Sequence, residues 1–343
     1  MSAGVQDFIA AMTAAGVVPV EPIAGKLVGG KIVRFRCQGD GRKRNGWAIF
    51  FDGERPGGAY GNHKQNTGTI TWSAKREGPP LSPEERARLR EQIAAEEARR
   101  AREQASTQEY VAREARATWA ASSAADPAHP YAATKRMKVA GLRQSGEALL
   151  VPMRDIEGVL WNLQRIYPDG TKRFVKGGRI LGLMTVIEPR LGFARGVVCE
   201  GYATGDAIAQ ALGAGPVVVA FNTANLGEVV AACVDRHPRA DWVIAADDDH
   251  LTGTRMEERG QPYQNPGVDK AREVAVLHGC RVAYPLSVVE RWVDGVVAEP
   301  ANVDFSDLLL AGGAVDIRAA FDGARRPAGS AQPSLAERIG RAA

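Results

Sequence analysis

Two segments of one stretch set the reading of the chain: VVCEGYATGDA (residues 197–207) and WVIAADDD (residues 242–249). In each, an apolar run ends abruptly in acid. Val197, Val198 and Cys199 lead into Glu200, and Val243, Ile244, Ala245 and Ala246 lead into Asp247, Asp248 and Asp249. A short apolar run bounded by turn signals is the pattern of a buried parallel strand. Two such neighbouring strands would present Glu200, Asp247 and Asp249 at their carboxyl ends, where open α/β sheets place ligands. Three converging carboxylates repel unless a cation lies between them, and Mg²⁺ (or Mn²⁺) suits an all-oxygen donor set. Asp248 should face the opposite side while the strand stays extended.

Working outward, the α/β alternation is regular. Strands are expected at 197–199, 217–221, 242–246 and 281–284, with helices near 203–212, 225–235 and 268–277. Residues 250–267 are polar, without periodicity, and read as a long loop. The sequence DFSDLLLAGG (304–313) starts a late helix, in which Asp304 reads equally as a cap, with Asp307 in the first turn. The tail from Arg325, rich in Ala, Gly, Pro and Arg, is expected to be disordered.

Upstream, residues 148–178 read as a strand meander carrying Arg154, Arg165, Lys172, Arg173 and Lys176, with Arg179 just beyond. Residues 82–119 form a charged helix, with Ser82 and Glu85 as a capping box and Pro83 at the first turn. Its apolar anchors are sparse, so it reads as a solvated spacer. Residues 25–75 form a small antiparallel module whose Arg34, Arg36, Arg42, Lys43, Arg44 and Lys64 are interleaved with Phe35, Trp47, Tyr60 and Trp72. Cations beside aromatic faces can follow a phosphate backbone while bases stack. The plainer reading, a small aromatic core with solvated cations, is the better one for Phe50 and Trp47, although Trp47 stays among the nucleic-acid candidates. A short helix ending near Gly16 precedes this module.

The whole chain carries 44 Lys+Arg and 40 Asp+Glu, but unevenly. Residues 1–195 hold 31 basic and 20 acidic residues, so the acidic excess lies in the remainder. A basic front and an acidic back suit a polyanion held beside a metal-binding carboxylate cluster. No apolar run approaches the ~18–20 residues of a membrane span. The N-terminal segment lacks a basic region and carries Asp7, so neither a signal peptide nor a membrane partner is expected and the location reads as cytoplasmic. Cys37, Cys199, Cys233 and Cys280 form no C-x-x-C pair, and no zinc is expected.

Residues 197–249 resemble a Toprim domain, the catalytic fold of bacterial primases, topoisomerases and some nucleases. Its pattern, a Glu after the first strand and Asp-x-Asp after the third, is matched by Glu200 and by Asp247 with Asp249. The wider match is to Toprim DNA primases of the phage and conjugative-plasmid type. The basic segment LLVPMRDIEGVL, the EGYATGDA stretch, NPGVDKA (265–271), DFSDLL (304–309) and GGAYGNHK (57–64) carry it.

The resemblance implies an α/β Toprim domain with a mostly parallel sheet flanked by helices, preceded by a basic α+β segment and a small N-terminal β-rich module. Expected boundaries are 1–80, a helical linker 81–120, a basic subdomain 121–195, the Toprim domain 196–322 and a tail 323–343. It implies synthesis of short RNA primers on single-stranded DNA from ribonucleoside triphosphates. Glu200, Asp247 and Asp249 would be catalytic and hold the metal. Arg154, Lys172, Arg173, Lys176, Gly201, Gly205 and Thr223 would bind nucleotide or phosphate.

The pattern departs from the family at three points. There is no zinc ribbon, so either the N-terminal module or another protein reads the template. There is no G-x-x-x-x-G-K-[ST] loop, which leaves a separate replicative helicase as a partner. No nucleophilic tyrosine of a topoisomerase is recognisable. A Toprim nuclease using the same carboxylates, and a non-catalytic single-strand-binding accessory protein, are the rival readings.

Overall fold

The computed structural model describes residues 3–330 except 54–55, 66, 75–82, 189–192, 214, 259, 261, 286–291, 294–295 and 298–301. The chain divides into two compact units, residues 1–93 and 94–343.

In the first unit, helix α1 (Ala3–Ala14) backs a four-stranded antiparallel sheet of β1 (Val33–Phe35), β2 (Gly46–Phe51), β3 (Gly57–Asn62) and β4 (Ile70–Ser73), in that order. Alternation along the strands puts Val33, Phe35, Ala48, Phe50 and Tyr60 on the face that meets Phe8 and Met12 of α1. The Phe8 ring is fully buried, 5.2 Å from Phe50 and 5.4 Å from Trp72. Burying a ring of that size stabilises by roughly 1.5–3 kcal/mol. Phe50 is thus core, whereas Trp47 lies half-buried on the opposite face.

The expected charged helix is α2 (Pro83–Ala121). Ser82 and the side chain of Glu85, the expected capping box, lie outside what is described. Along its exposed side Glu96 pairs with Arg100 at 2.9 Å and Glu109 with Arg116 at 3.0 Å. The helix is not solvated throughout. Val111, Ala112 and Ala115 are buried, and Ala115 packs with Leu150, Leu160 and Leu163.

That packing surface belongs to an antiparallel sheet of β5 (Ser123–Ala124), β6 (Arg143–Ser145), β7 (Ala148–Arg154), β8 (Leu160–Ile166) and β9 (Lys172–Phe174), with α3 (Pro130–Lys135) between β5 and β6. A second sheet holds β10 (Thr185–Ile187), β11 (Arg195–Cys199), β12 (Val217–Val219), β13 (Asp241–Ala245) and β14 (Arg281–Ala283), in the order β10-β12-β11-β13-β14. Only the edge strand β10 is antiparallel. Helices α4 (Tyr202–Leu212), α5 (Thr223–Arg236), α6 (His250–Glu257) and α7 (Pro266–His278) connect the strands. A short hairpin of β15 (Trp292–Val293) and β16 (Val296–Val297) follows, then α8 (Phe305–Gly312) and α9 (Ala314–Asp322).

Both faces of the second sheet are covered. Val197, Cys199, Val243 and Ala245 pack in one cluster with Ala203, Ala207, Phe305 and Phe321, and Val198, Ile244 and Trp242 in another with Leu226, Val229, Val268 and Val274. Double burial explains why these strands read as unbroken apolar runs. The first cluster also takes in Tyr131, Leu149, Val151 and Met153. The basic segment and the parallel sheet, expected as separate domains, therefore share one core, and β10 is contributed from upstream of residue 196.

Two sequence expectations change. Residues 250–257 form α6 rather than open loop. Residues 325–330 lie within the described chain, and Arg325 pairs with Val282 at the edge of β14. No helix among the described residues is long and apolar enough to cross a membrane.

Candidate active site

Strands β11 and β13 are direct parallel neighbours, with Cys199 opposite Ala245. Glu200 and Asp247 therefore leave the sheet at the same edge. Thr223, the first residue of α5, donates from Oγ1 to Glu200 Oε2 at 2.7 Å. Asp247 as a residue keeps partial exposure, but its Oδ1 is closed off from solvent and accepts no hydrogen bond.

The electrostatics reflect this crowding. Burial pushes the Asp247 carboxyl well above its ordinary value, and the charges of Asp304, Glu200 and Asp249 push it further; Lys172 pulls it down. Burial also raises Glu200, assisted by Asp249 and opposed by the Thr223 hydrogen bond.

Asp304, left open between cap and site residue, caps a helix and lies close enough to Asp247 to act on it electrostatically. Its side chain accepts from the Asp307 N–H at 2.8 Å in a reciprocal capping box at the start of α8, and its charge acts on Asp247. Asp307 faces a residue that sequence reasoning missed. Lys135, at the end of α3, donates from Nζ to Asp307 Oδ1 and Ser306 Oγ, each at 3.0 Å. Burial lowers its affinity for a proton, but Asp304 and Asp307 outweigh this and raise it overall. The partners lie 171 and 172 residues apart in sequence, so no local pattern links them.

Asp249 is engaged structurally. Its Oδ2 accepts from the Gly267 N–H at 3.1 Å and its Oδ1 from Asn302 Nδ2 at 3.1 Å. Burial and Asp248 raise its carboxyl, while the Gly267 N–H and His250 oppose them. Gly267 has no room for a side chain, since a Cβ there would overlap the Asp247 carbonyl and come within 3.2 Å of Asp249 Oδ2. Asp248 is buried, accepts from Asn265 Nδ2 at 2.6 Å and faces His250 at 3.3 Å. Asn265 also caps α7, which explains why NPG is found beside the acidic run.

The expected phosphate-binding residues divide. Lys172, on β9, acts on Asp247 and lies 5.6 Å over the Tyr131 ring. Phe174 of the same strand meets Phe221 edge-on at 6.2 Å, which ties β9 to the end of β12. Phe221 has a left-handed φ of 71°, a strained setting for a bulky residue at the start of the turn into α5. Arg173 and Lys176 are exposed, and Arg173 lies 6.0 Å over Tyr167.

Arg154 is not brought to the carboxylates. It lines a cavity of about 650 Å³ with Asp206, Tyr202 and Trp242, and none of Glu200, Asp247, Asp249 and Asp304 lines that cavity. Gly205 is buried inside α4, where a Cβ would come within 2.9 Å of Val219 and 3.0 Å of Cys199. Its hydrogen serves helix-on-sheet packing rather than phosphate approach. Gly201, with φ −97°, caps α4 and has no crowding closer than 3.3 Å.

In the first unit Lys64 is drawn inward, donating to Gly39 O at 2.7 Å and facing buried Asp40 at 3.7 Å. Arg44 faces Glu21 at 3.9 Å; Arg34, Arg42 and Lys43 are exposed, and Arg36 is half-buried.

Among the described residues no three His, Cys, Asp or Glu side chains form a closed metal cage. The donors nonetheless fit a hard cation. Asp247 Oδ1 is a buried anionic oxygen without a donor, and its neighbours Glu200 and Asp304 are carboxylates whose repulsion a divalent ion would relieve.

No family model matches the chain. Two curated proteins, both named DNA primase TraC, from Escherichia coli, are 33% identical over 290 residues and 32% identical over 293 residues. Each alignment covers 82% of this chain. The chain is a relative of these primases. It spans only 26% and 19% of their lengths. Among solved structures, the primase fragment of the bacteriophage T7 primase-helicase protein matches at 14% identity and a TM-score of 0.36, covering 55% of this chain and 72% of that one. A DNA primase domain from Pseudomonas aeruginosa matches at 16% identity and a TM-score of 0.34, covering 53% of each.

Proposed function

We propose that this TraC relative is a DNA primase that synthesises short RNA primers on single-stranded DNA by metal-dependent nucleotidyl transfer. The observation that carries the reading is the buried Asp247 carboxylate with its unpartnered Oδ1, set among Glu200, Asp304 and Asp249 at the carboxyl edge of a parallel sheet. Glu200, Asp247 and Asp304 would hold Mg²⁺ (or Mn²⁺), with Asp249 beside them. When bound, the ion supplies neutralisation of phosphoryl charge and activation of the attacking 3′-hydroxyl.

The chain's own residues do the rest. Lys172 supplies positive charge facing Asp247 and suits the triphosphate, and exposed Arg173 and Lys176 extend that basic edge. Thr223 holds Glu200 at one oxygen. Asp249 latches the first turn of α7 and so fixes the backbone on which Asp247 sits. A separate replicative helicase or template-recognition protein would act beside it.

The test is incubation with a single-stranded template, labelled ribonucleotides and Mg²⁺. Short labelled products that disappear on removal of Mg²⁺ are expected. Degradation of the template without ribonucleotide joining would replace primer synthesis with nuclease action.

Thr223→Val carries a pH signature. The hydrogen bond it removes lowers the Glu200 pKa, so its loss raises that value further. Primer synthesis, needing ionised Glu200, should lose its acid limb at higher pH in the variant and fall roughly 10–100-fold at neutral pH, the loss of one hydrogen bond to a charged group. An unshifted pH–rate profile would remove Thr223 from the site.

A further inference from the structure

The face of the N-terminal sheet turned away from α1 has an unusual composition. Across from each other in register stand Trp47 and Gly61, Ile49 and Ala59, and Phe51 and Gly57. One strand thus presents a row of large apolar side chains, and its neighbour presents only Gly, Ala and Gly. Beyond that low strand, Thr71 and Ser73 of β4 are exposed opposite Ala59 and Gly57. The result is a shallow trough with an aromatic wall and a polar wall.

The aromatic wall is laid flat. A Cβ on Gly61 would overlap the Gly68 carbonyl and come within 2.9 Å of the Trp47 indole nitrogen, and a Cβ on Gly30 would overlap the Phe51 ring; the Trp47 ring also stacks against His63, 6.4 Å between centroids. Each ring therefore rests on a glycine. Ile32 is 61% exposed and Phe51 44% exposed, so this face is not a second core.

Positive charge borders the rings. Arg34 is exposed and pairs directly with Trp47 across β1 and β2; Lys31 is exposed beside it, and Arg36 continues the same side of β1. Asp52 is the acidic residue at the end of β2. Flat aromatic rings spaced along a strand and flanked by guanidinium groups suit alternating bases and phosphates. Gly57, Ala59 and Gly61 bring no polar side chain to the trough floor, so recognition there would be largely sequence-tolerant.

We infer that this open sheet face is a platform for single-stranded DNA, with bases stacked on Trp47 and Phe51 and the backbone carried by Arg34 and Arg36. The assignment moves the binding surface away from Lys64, which the fold commits to Asp40 and Gly39. It rests on the primase reading only for the role of the bound strand as template.

The test measures binding of the full chain to a fluorescently labelled oligothymidylate by anisotropy, without Mg²⁺ or ribonucleotides. Phe51→Ala and Arg34→Glu should each weaken binding about tenfold, the scale of one lost stack or one reversed phosphate contact. Trp47→Phe should bind nearly as the parent does, because the stacking surface remains, but should lose much of the tryptophan quenching seen on DNA addition. Lys64→Ala should bind as the parent does.

Circular dichroism of each variant separates lost contact from lost fold. Unchanged affinity in folded Phe51→Ala and Arg34→Glu would overturn the platform, as would tighter binding of an RNA oligomer than of DNA. Asp247→Asn serves as the separating control. It should bind oligothymidylate as the parent does while making no primers; that loss together with unchanged affinity in Phe51→Ala and Arg34→Glu would overturn the platform and leave the primase reading standing.

Discussion

Asp247→Asn should remove primer synthesis and at the same time stabilise the metal-free protein. The activity loss is expected to be on the order of 10²–10³-fold or more, the scale of deleting one preorganised electrostatic group from a reacting centre. The stability gain follows from linkage. Burial and three neighbouring carboxylates raise the Asp247 pKa in the folded chain above its ordinary value of 3.8. Its stabilising contribution is therefore present below that ordinary value and is lost as pH rises through the raised folded one. Above that ordinary value the cost of ionising the buried acid opposes folding, and an amide of the same shape does not carry it.

Melting curves in chelator should accordingly show the variant ahead of the parent at pH 8 and level with it at pH 4. A gain of about 1 kcal/mol corresponds to roughly 2–4 °C in a unit of this size. Added Mg²⁺ should then raise the melting temperature of the parent and leave the variant nearly unmoved. A variant that melts lower than the parent at pH 8 would mean that Asp247 forms a stabilising contact instead of carrying an unpartnered buried oxygen.

Gly267→Ala should lower activity about as much, without touching a reacting group. A methyl at this position has no space between the Asp247 carbonyl and Asp249 Oδ2. Relief requires the first turn of α7 to withdraw, which breaks the Gly267 N–H bond to Asp249 and shifts the acidic edge. A displacement of about 1 Å at a catalytic centre costs on the order of 10²-fold in rate. The overpacking should also cost about 1–3 kcal/mol of stability, readable in a denaturant titration. Gly201→Ala is the matched control. Its φ of −97° is ordinary, and its nearest neighbour, Thr204 Oγ1, lies 3.3 Å away, so activity should stay within a few-fold of the parent. Equal losses in the two variants would show that the acidic edge tolerates no change rather than that Gly267 is specifically crowded.

The parallel sheet was legible because its strands are buried on both faces and so appear as continuous apolar runs, each closed by acid. Glu200, Asp247 and Asp249 could be singled out for the same reason, since a strand ends where its acid begins. The helix cap at Asp304 was likewise a local signal. Residues 250–257 were misread because a short helix with one buried residue, Gly253, has almost no apolar face to betray it.

The sequence by itself determined the parallel strands, the helices between them and the acids that close two of those strands, because strand burial and capping act over a few residues. Only the tertiary structure decided what those acids face. It placed Lys135 against Asp307 and Lys172 near Asp247, turned Arg154 and Lys64 away, and gave Asp249 two latching bonds. Charged side chains are long and their partners lie across the fold, so their pairing depends on how the sheets and helices pack, which no local pattern in the chain encodes.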